Sequence, residues 1–190
     1  MVVAVPQLLV VGLGNLPLPL TRHSVGHLIV DSLASRLGVR MTSDRAMGGL
    51  YGQTDVTIGE SSVSLTLYKP KPLMNITGPA VVGALRKTAK APASMVVIHD
   101  SLDHTPQTIS PKFGGSANGH NGVKSIISAL GGDSGFHRFR VGIGRDARGN
   151  AADYVLSKLP GSERRFWSED GDGMDVVWRE LERVVRKMSS

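Results

Sequence analysis

Short apolar runs closed by polar or glycine residues alternate along this chain with stretches where apolar positions recur every three or four residues. Gln7–Leu13 (QLLVVGL) is continuous and stops at Gly14-Asn15, the pattern of a strand buried on both faces. After a proline-rich bend over Leu16–Leu20, Val25, Leu28, Ile29, Leu33 and Leu37 share a helical face, and Gly38 is placed to end that helix. Residues 41–60 show no clear period. Val63, Leu65 and Leu67 alternate with Ser62, Ser64 and Thr66, which predicts a half-buried strand closed by Lys69-Pro70-Lys71-Pro72. A helix is expected after Thr77-Gly78-Pro79, through Val81, Val82 and Leu85.

Met95–Ile98 reads as a second buried strand ending at His99-Asp100. Gln107–Phe113 alternates weakly and contains Pro111, which predicts an edge or irregular strand. A glycine-rich stretch from Gly114 to Gly122 then leads into a helix over Val123, Ile126, Ile127 and Leu130, stopped by Gly131-Gly132. Arg138–Ile143 is another strand. Two helices are expected to start near Ser162 and Gly173, the second with Met174, Val177, Leu181 and Val184 on one face. Strands and helices alternate with no internal repeat, low-complexity tract or linker. The expectation is one domain over residues 1–190, a three-layer α/β/α fold with a mixed, mostly parallel sheet.

Composition changes this picture little. The 190 residues are 41% hydrophobic and 20% charged, enough to bury a substantial core. There is no cysteine, which excludes disulfides and thiolate metal sites. No apolar run approaches the ~20 residues that cross a bilayer, and no membrane partner is expected. Met1–Pro6 lacks the charged start of a cleavable leader, so an intracellular site, cytoplasmic or mitochondrial, is expected. The net charge of +6 makes a polyanion such as nucleic acid a candidate partner.

Candidate chemistry gathers where sites form in open α/β sheets, beyond the carboxyl ends of strands. Asn15 and Asp100 end or follow two such strands, His23 precedes the first helix, and the glycine-rich loop delivers His120-Asn121 to another helix start. Gly12-Leu13-Gly14 is no dinucleotide fingerprint, because its third glycine is missing and position 17 is proline. His99, Asp100, Asp103 and His104 contain ligand types but match no helical zinc spacing. A metal-dependent hydrolase built on His99, Asp103 and His104 would be inactivated by chelators. No G-x-S-x-G elbow is present; Gly115-Ser116-Ala117 is the nearest approach. A histidine acting directly on water needs only a carboxylate to fix its tautomer and donors for the developing oxyanion. His23, Asp100 and asparagine amides supply that set. Singly, each of these residues also reads as a cap or a turn former.

Their joint pattern resembles the bacterial-type peptidyl-tRNA hydrolases. LLVVGLGN followed by TRHSVG resembles that family's opening strand, asparagine turn and T-R-H-N helix entry. KPKPLMNITGPAV resembles its K-P-x-x-x-M-N-x-S-G segment. VVIHDSLDHTPQTISPKFGGSANGHNGVKSIISALG resembles its H-D-x-L-D and G-H-N-G-L-K-S-I run. FHRFRVGIGR and YVLSKLP resemble its later strand and F-V-L segment, so the match spans roughly residues 7–160. The resemblance implies hydrolysis of the ester between peptide and tRNA. It implies His23 as general base, Asp100 orienting it, and Asn121 holding the attacking water or the oxyanion. It further implies Asn15, Asn75 and Ser24 on the substrate, Lys112 and Arg140 on tRNA phosphate, no metal or organic cofactor, and a monomer.

The chain departs from the family pattern in several places. Leu16-Pro17 replaces Pro-Gly, the interval from Asn15 to His23 is shortened, and Ser24 replaces an asparagine. Ser110 stands where a second basic residue is common, and the tail beyond Pro160 matches poorly. These changes suggest a divergent branch, eukaryotic or organellar. They also keep a second reading open, in which a weak or inactive RNA-binding, splicing-type protein uses the same scaffold.

Overall fold

The computed structural model describes residues 4–190; Met1-Val2-Val3, the first half of the segment read above as no leader, lie outside the described residues. The strands are β1 (Gln7–Gly12), β2 (Thr42–Asp44), β3 (Gly49–Ile58), β4 (Ser61–Pro70), β5 (Met95–Ser101), β6 (Ile109–Phe113) and β7 (His137–Gly142). The α-helices are α1 (Val25–Arg36), α2 (Gly78–Lys87), α3 (Asn121–Ala129), α4 (Ala151–Leu156), α5 (Gly161–Phe166) and α6 (Asp172–Met188). Together they form one α/β domain around a seven-stranded sheet of order β2-β3-β4-β1-β5-β7-β6.

The centre of the sheet, β4-β1-β5-β7, is parallel, and antiparallel pairs extend it on both sides. β1 is apolar throughout because both its faces are covered. Leu8 and Val10 pack with α1 and α6, whereas Leu9 and Val11 pack with α2 and α3. The alternation in β4 misleads after its first half. Thr66 is only 1% exposed, and the strand is buried on both faces from Leu65 onward. Thr66 is accommodated there because its hydroxyl oxygen accepts from Gln53 Nε2 at 3.0 Å.

Three further elements sharpen the sequence reading. Residues 41–60, which lack a period, form the outer strands β2 and β3. β5 runs on through His99 and Asp100 to Ser101, so both polar residues sit inside the ladder, Asp100 opposite Val141. The short α4 is too brief to show a period in the sequence. β6 is an edge strand as expected, with Pro111 opposite Phe139.

One close approach decides where the first helix begins. A Cβ on Gly12 would lie 2.2 Å from the Gly26 carbonyl oxygen, and one on Gly26 would lie 2.4 Å from that of Ile98. Only two glycines let the first turn of α1 lie directly on β1 and β5. That contact brings the turn Arg22–Ser24, just ahead of α1, to the carboxyl end of the sheet.

Candidate active site

The turn that carries His23 is tied down from the far end of the chain. Arg22 N–H donates to Ser157 O at 3.0 Å, Leu159 N–H donates to Leu20 O at 2.8 Å, and Thr21 forms a bridge with Lys158. The Arg22 guanidinium lies 4.3 Å from the Tyr154 ring centroid and donates to Lys158 O at 2.9 Å. The YVLSKLP segment therefore acts as a brace for the histidine turn.

His23 meets Asp100 across 77 positions of sequence, with Nδ1 2.9 Å from Oδ1 and 3.0 Å from Oδ2. A carboxylate only accepts, so Nδ1 carries the proton and Nε2 is left with its lone pair. Asp100 is 3% exposed. Burial by itself would raise its carboxyl, but electrostatic attraction to the His120 ring and the hydrogen bonds from His120 and His23 outweigh it and hold the group well below the carboxylate range.

His120 is the functional neighbour that the sequence reading left without a role. Its Nε2 donates to Asp100 Oδ1 at 2.9 Å, while its Nδ1 accepts from Val123 N–H at 3.2 Å as the N-cap of α3. These two bonds fix its tautomer and couple the helix start to the carboxylate. His99 packs against it, ring centroids 4.6 Å apart, and directs Nδ1 to the Asp100 carbonyl oxygen at 2.8 Å. Burial first, then the neighbouring His120 ring, keeps His99 neutral far below its ordinary range.

These groups line a cleft of about 710 Å³ that also contains Asn15, Asn75, Asn121 and Arg140. Asn15 is buried, and its Oδ1 accepts from Met74 N–H at 2.9 Å, which fastens the Met74–Ile76 turn and Asn75 to the end of β1. Asn75 and Asn121 are exposed at the cleft edge. Arg140 faces the cleft with part of its guanidinium engaged, Nε on Ser110 O at 3.1 Å and one terminal nitrogen on Ser110 Oγ at 2.7 Å. Leu18, Leu73 and Leu156, between 44% and 53% exposed, give the cleft an apolar rim.

Two expected substrate residues lie elsewhere. Ser24 is 1% exposed and absent from the cleft lining; its hydroxyl accepts from Asn15 N–H at 3.0 Å and donates to Leu18 O at 2.9 Å. The short serine closes the asparagine turn from inside. Lys112 sits on β6 opposite Arg138, with its aliphatic end beside Gly115, outside the cleft wall. Arg138 is in that wall, 1% exposed, and donates to the carbonyls of Gly114 and Ser116 at 3.2 and 2.8 Å. It anchors the glycine-rich loop. The FHRFR stretch marked a basic strand in the sequence but not which arginine turns inward.

The residues considered for a metal do not converge. Asp103 pairs with Arg145 at 2.7 Å, His104 Nδ1 meets Ser101 Oγ at 2.7 Å, and His99 is engaged as described. Among the described residues, the ligand atoms that cluster are those of His23, Asp100 and His120, within 4.8 Å of one another. The hydrogen bonds at 2.9 Å already account for that spacing. What the arrangement supplies is a histidine base with a fixed tautomer, beside amide donors and an apolar rim.

Comparison with known proteins agrees with this chemistry. The family model described as peptidyl-tRNA hydrolase matches residues 9–188. A peptidyl-tRNA hydrolase of Geobacter metallireducens is 39% identical over 186 residues, covering 95% of this chain and 92% of the relative. One from a Mycobacterium species (strain KMS) is 43% identical over 162 residues, covering 83% and 81%. The crystal structure of peptidyl-tRNA hydrolase from Acinetobacter baumannii superposes with a TM-score of 0.80 at 30% identity, covering 98% of this chain and 93% of that one. The match extends through the tail that reads poorly by motif, and these relatives are bacterial rather than organellar. On the family model and on relatives that align over most of its length, this chain belongs to the peptidyl-tRNA hydrolase family.

Proposed function

We propose that this chain hydrolyses the ester joining a peptide, or an N-blocked aminoacyl group, to tRNA, with His23 as the general base on a water molecule. The family assignment supports the reaction. The contact that carries the mechanism is His23 Nδ1 on Asp100 at 2.9 Å, with Asp100 held anionic. His23 Nε2 takes a proton from water, and the hydroxide attacks the ester carbonyl. Asp100 stabilises the imidazolium that forms. The side-chain N–H of Asn121 offsets charge on the tetrahedral oxygen. Collapse expels the ribose 3′ oxygen, which recovers the proton from His23. General-base help is worth ~10²–10⁴-fold and an oxyanion donor ~10²–10³-fold.

The substrate residues divide by position. Asn15 and Asn75 hydrogen-bond the peptide backbone, and Leu18, Leu73 and Leu156 accept its side chains without strong selection. Arg140 engages a phosphate near the ester end, where contact positions the RNA without reading its sequence. The chain works as a monomer on peptidyl-tRNA, within the compartment where translation takes place. The alternative, an inactive RNA-binding protein, draws no support from the relatives found. Release of free tRNA from N-acetyl-aminoacyl-tRNA, run beside binding of unacylated tRNA, tests the proposal. Tight tRNA binding without ester release overturns it.

A further inference from the structure

The glycine-rich loop between β6 and α3 presents an amide that the reaction above does not use. Asn118 and Gly119 have φ of 47° and 83°, and His120 N–H donates back to Ala117 O at 3.0 Å. Two positive φ values inside such a bond make a type I′ turn, for which Asn-Gly is a favoured pair. Both ends of the turn are fixed. On one side Arg138 donates to Ser116 O at 2.8 Å, and Ala117 packs into the core under α3. On the other, His120 bonds Asp100 at 2.9 Å. Asn118, at the tip, is exposed and lines the cleft. Ser116 Oγ donates to Asn118 Oδ1 at 2.7 Å, which occupies the amide oxygen and leaves Nδ2 without an acceptor among the described residues. Glycine would serve the turn equally well, so the backbone alone does not account for this side chain.

The sheet sets which part of a substrate this donor faces. Asn15 follows β1 and the Met74–Ile76 turn follows β4, so the amides assigned to the peptide lie on the β4 side of Asp100 and its strand β5. Asn118 belongs to the other side. Its loop is held by Arg138 of β7, the strand that also carries Arg140. Neighbouring strands are about 5 Å apart, a span that one ribose fills. In an esterified nucleotide the ribose separates the ester oxygen from the nearest phosphate, and its 2′-hydroxyl adjoins the ester. That hydroxyl oxygen is an acceptor for an amide N–H.

We propose that Asn118 is a substrate-binding residue, whose Nδ2–H donates to the 2′-oxygen of the nucleotide that carries the ester. The site thereby favours an RNA 3′ end over a 2′-deoxy one. The nature of that nucleotide rests on the peptidyl-tRNA reading above. The contact holds the sugar while His23 and Asn121 act on the carbonyl.

The test is Asn118→Gly, which keeps the turn and removes the amide. It is assayed on N-acetyl-aminoacyl-tRNA and on the same tRNA ending in 2′-deoxyadenosine, with the ester on the 3′ oxygen. Relative to the unmodified protein, kcat/KM is expected to fall roughly fivefold on the ribose ester, the worth of one neutral hydrogen bond. On the 2′-deoxy ester, where the acceptor is already missing, no change is expected. Equal falls on both esters would mean that the loop has merely loosened, and they overturn the proposal. So does an unchanged rate on the ribose ester. If the unmodified protein cleaves neither ester, the hydrolase reading fails. Binding of unacylated tRNA with either terminus then decides the Asn118 contact: a preference for the ribose end that the variant loses upholds it, and equal binding of the two ends overturns it.

Discussion

The carboxylate of Asp100 accepts from His120 Nε2 at 2.9 Å, through the same Oδ1 that meets His23 Nδ1. His120 thereby holds the carboxylate while capping α3. A variant that keeps the cap and loses the bond separates the two roles. His120→Ala is expected to lose both, with kcat down about tenfold and stability down by ~1 kcal/mol. His120→Asn is expected to recover the stability, because asparagine caps well, and not kcat. Thermal unfolding and steady-state kinetics on the pair check this, and recovery of both together would show that the cap alone matters.

His23→Ala is expected to lower kcat by ~10²–10⁴-fold with little change in melting temperature. Asp100→Asn is expected to do comparable damage, about 10⁴-fold, because an amide N–H can face Nδ1 and turn the proton toward Nε2. Single-turnover ester release measures both. Turnover close to the unmodified rate in either variant removes the water-activation mechanism.

Ser24 is a lock on the asparagine turn. Ser24→Ala leaves the buried Asn15 N–H without its acceptor and is expected to destabilise the protein by about 1–2 kcal/mol. Loosening Asn15 also frees the Met74–Ile76 turn, so KM is expected to rise more than kcat falls. Urea unfolding and a KM-against-kcat comparison test the two effects.

Stability is expected to fall on acidification from near pH 6.5. Burial, with the charge of Lys69, pushes His27 down to about 3, and His99 is lowered for similar reasons. Between ~6.5, the unfolded value, and the folded value the unfolded chain binds protons that the folded one excludes. The stability is therefore complete above ~6.5, and each such group removes ~1.4 kcal/mol per pH unit below it. Urea midpoints at pH 7.5 and 5.5 measure the slope, and His27→Gln is expected to flatten it. Parallel slopes in the two proteins would assign the effect elsewhere.

Gly78 sets the spacing between α2 and α3. A Cβ there would lie 2.0 Å from the backbone oxygen of Ser125, and the Gly78 N–H already donates to Ser125 Oγ at 2.8 Å. Gly78→Ala must push the helices apart, at an expected ~1–3 kcal/mol, and with them Asn75 and Asn121, which flank the contact in sequence. Calorimetry and KM report the two consequences, and a variant with unchanged stability would contradict the close packing.

Much of the fold is written in local pattern, because burial imposes a period. β1 is a continuous apolar run since both its faces are covered, and α6 carries Met174, Val177, Leu181 and Val184 on its one buried stripe. The outer strands β2 and β3 have only partial cover, so burial leaves no clean period in residues 41–60. Asn15, His23, Asp100, Asn75 and Asn121 were legible as a set through the motifs they share with a family. Nothing local distinguishes His120 as the second donor to Asp100, or Arg138 as the arginine that turns inward.

The sequence by itself determined the alternation of strands and helices, the histidine, aspartate and asparagines that line the cleft, and the family they resemble. These follow from hydrophobic period and residue order, which are properties of neighbours along the chain. Only the tertiary structure decided that Ser24 faces inward to Asn15, that His120 shares the Asp100 carboxylate, and that Lys112 lies beside Gly115 outside the cleft. Those relations depend on which groups meet across tens of residues, and chain packing sets such meetings where no local period reaches.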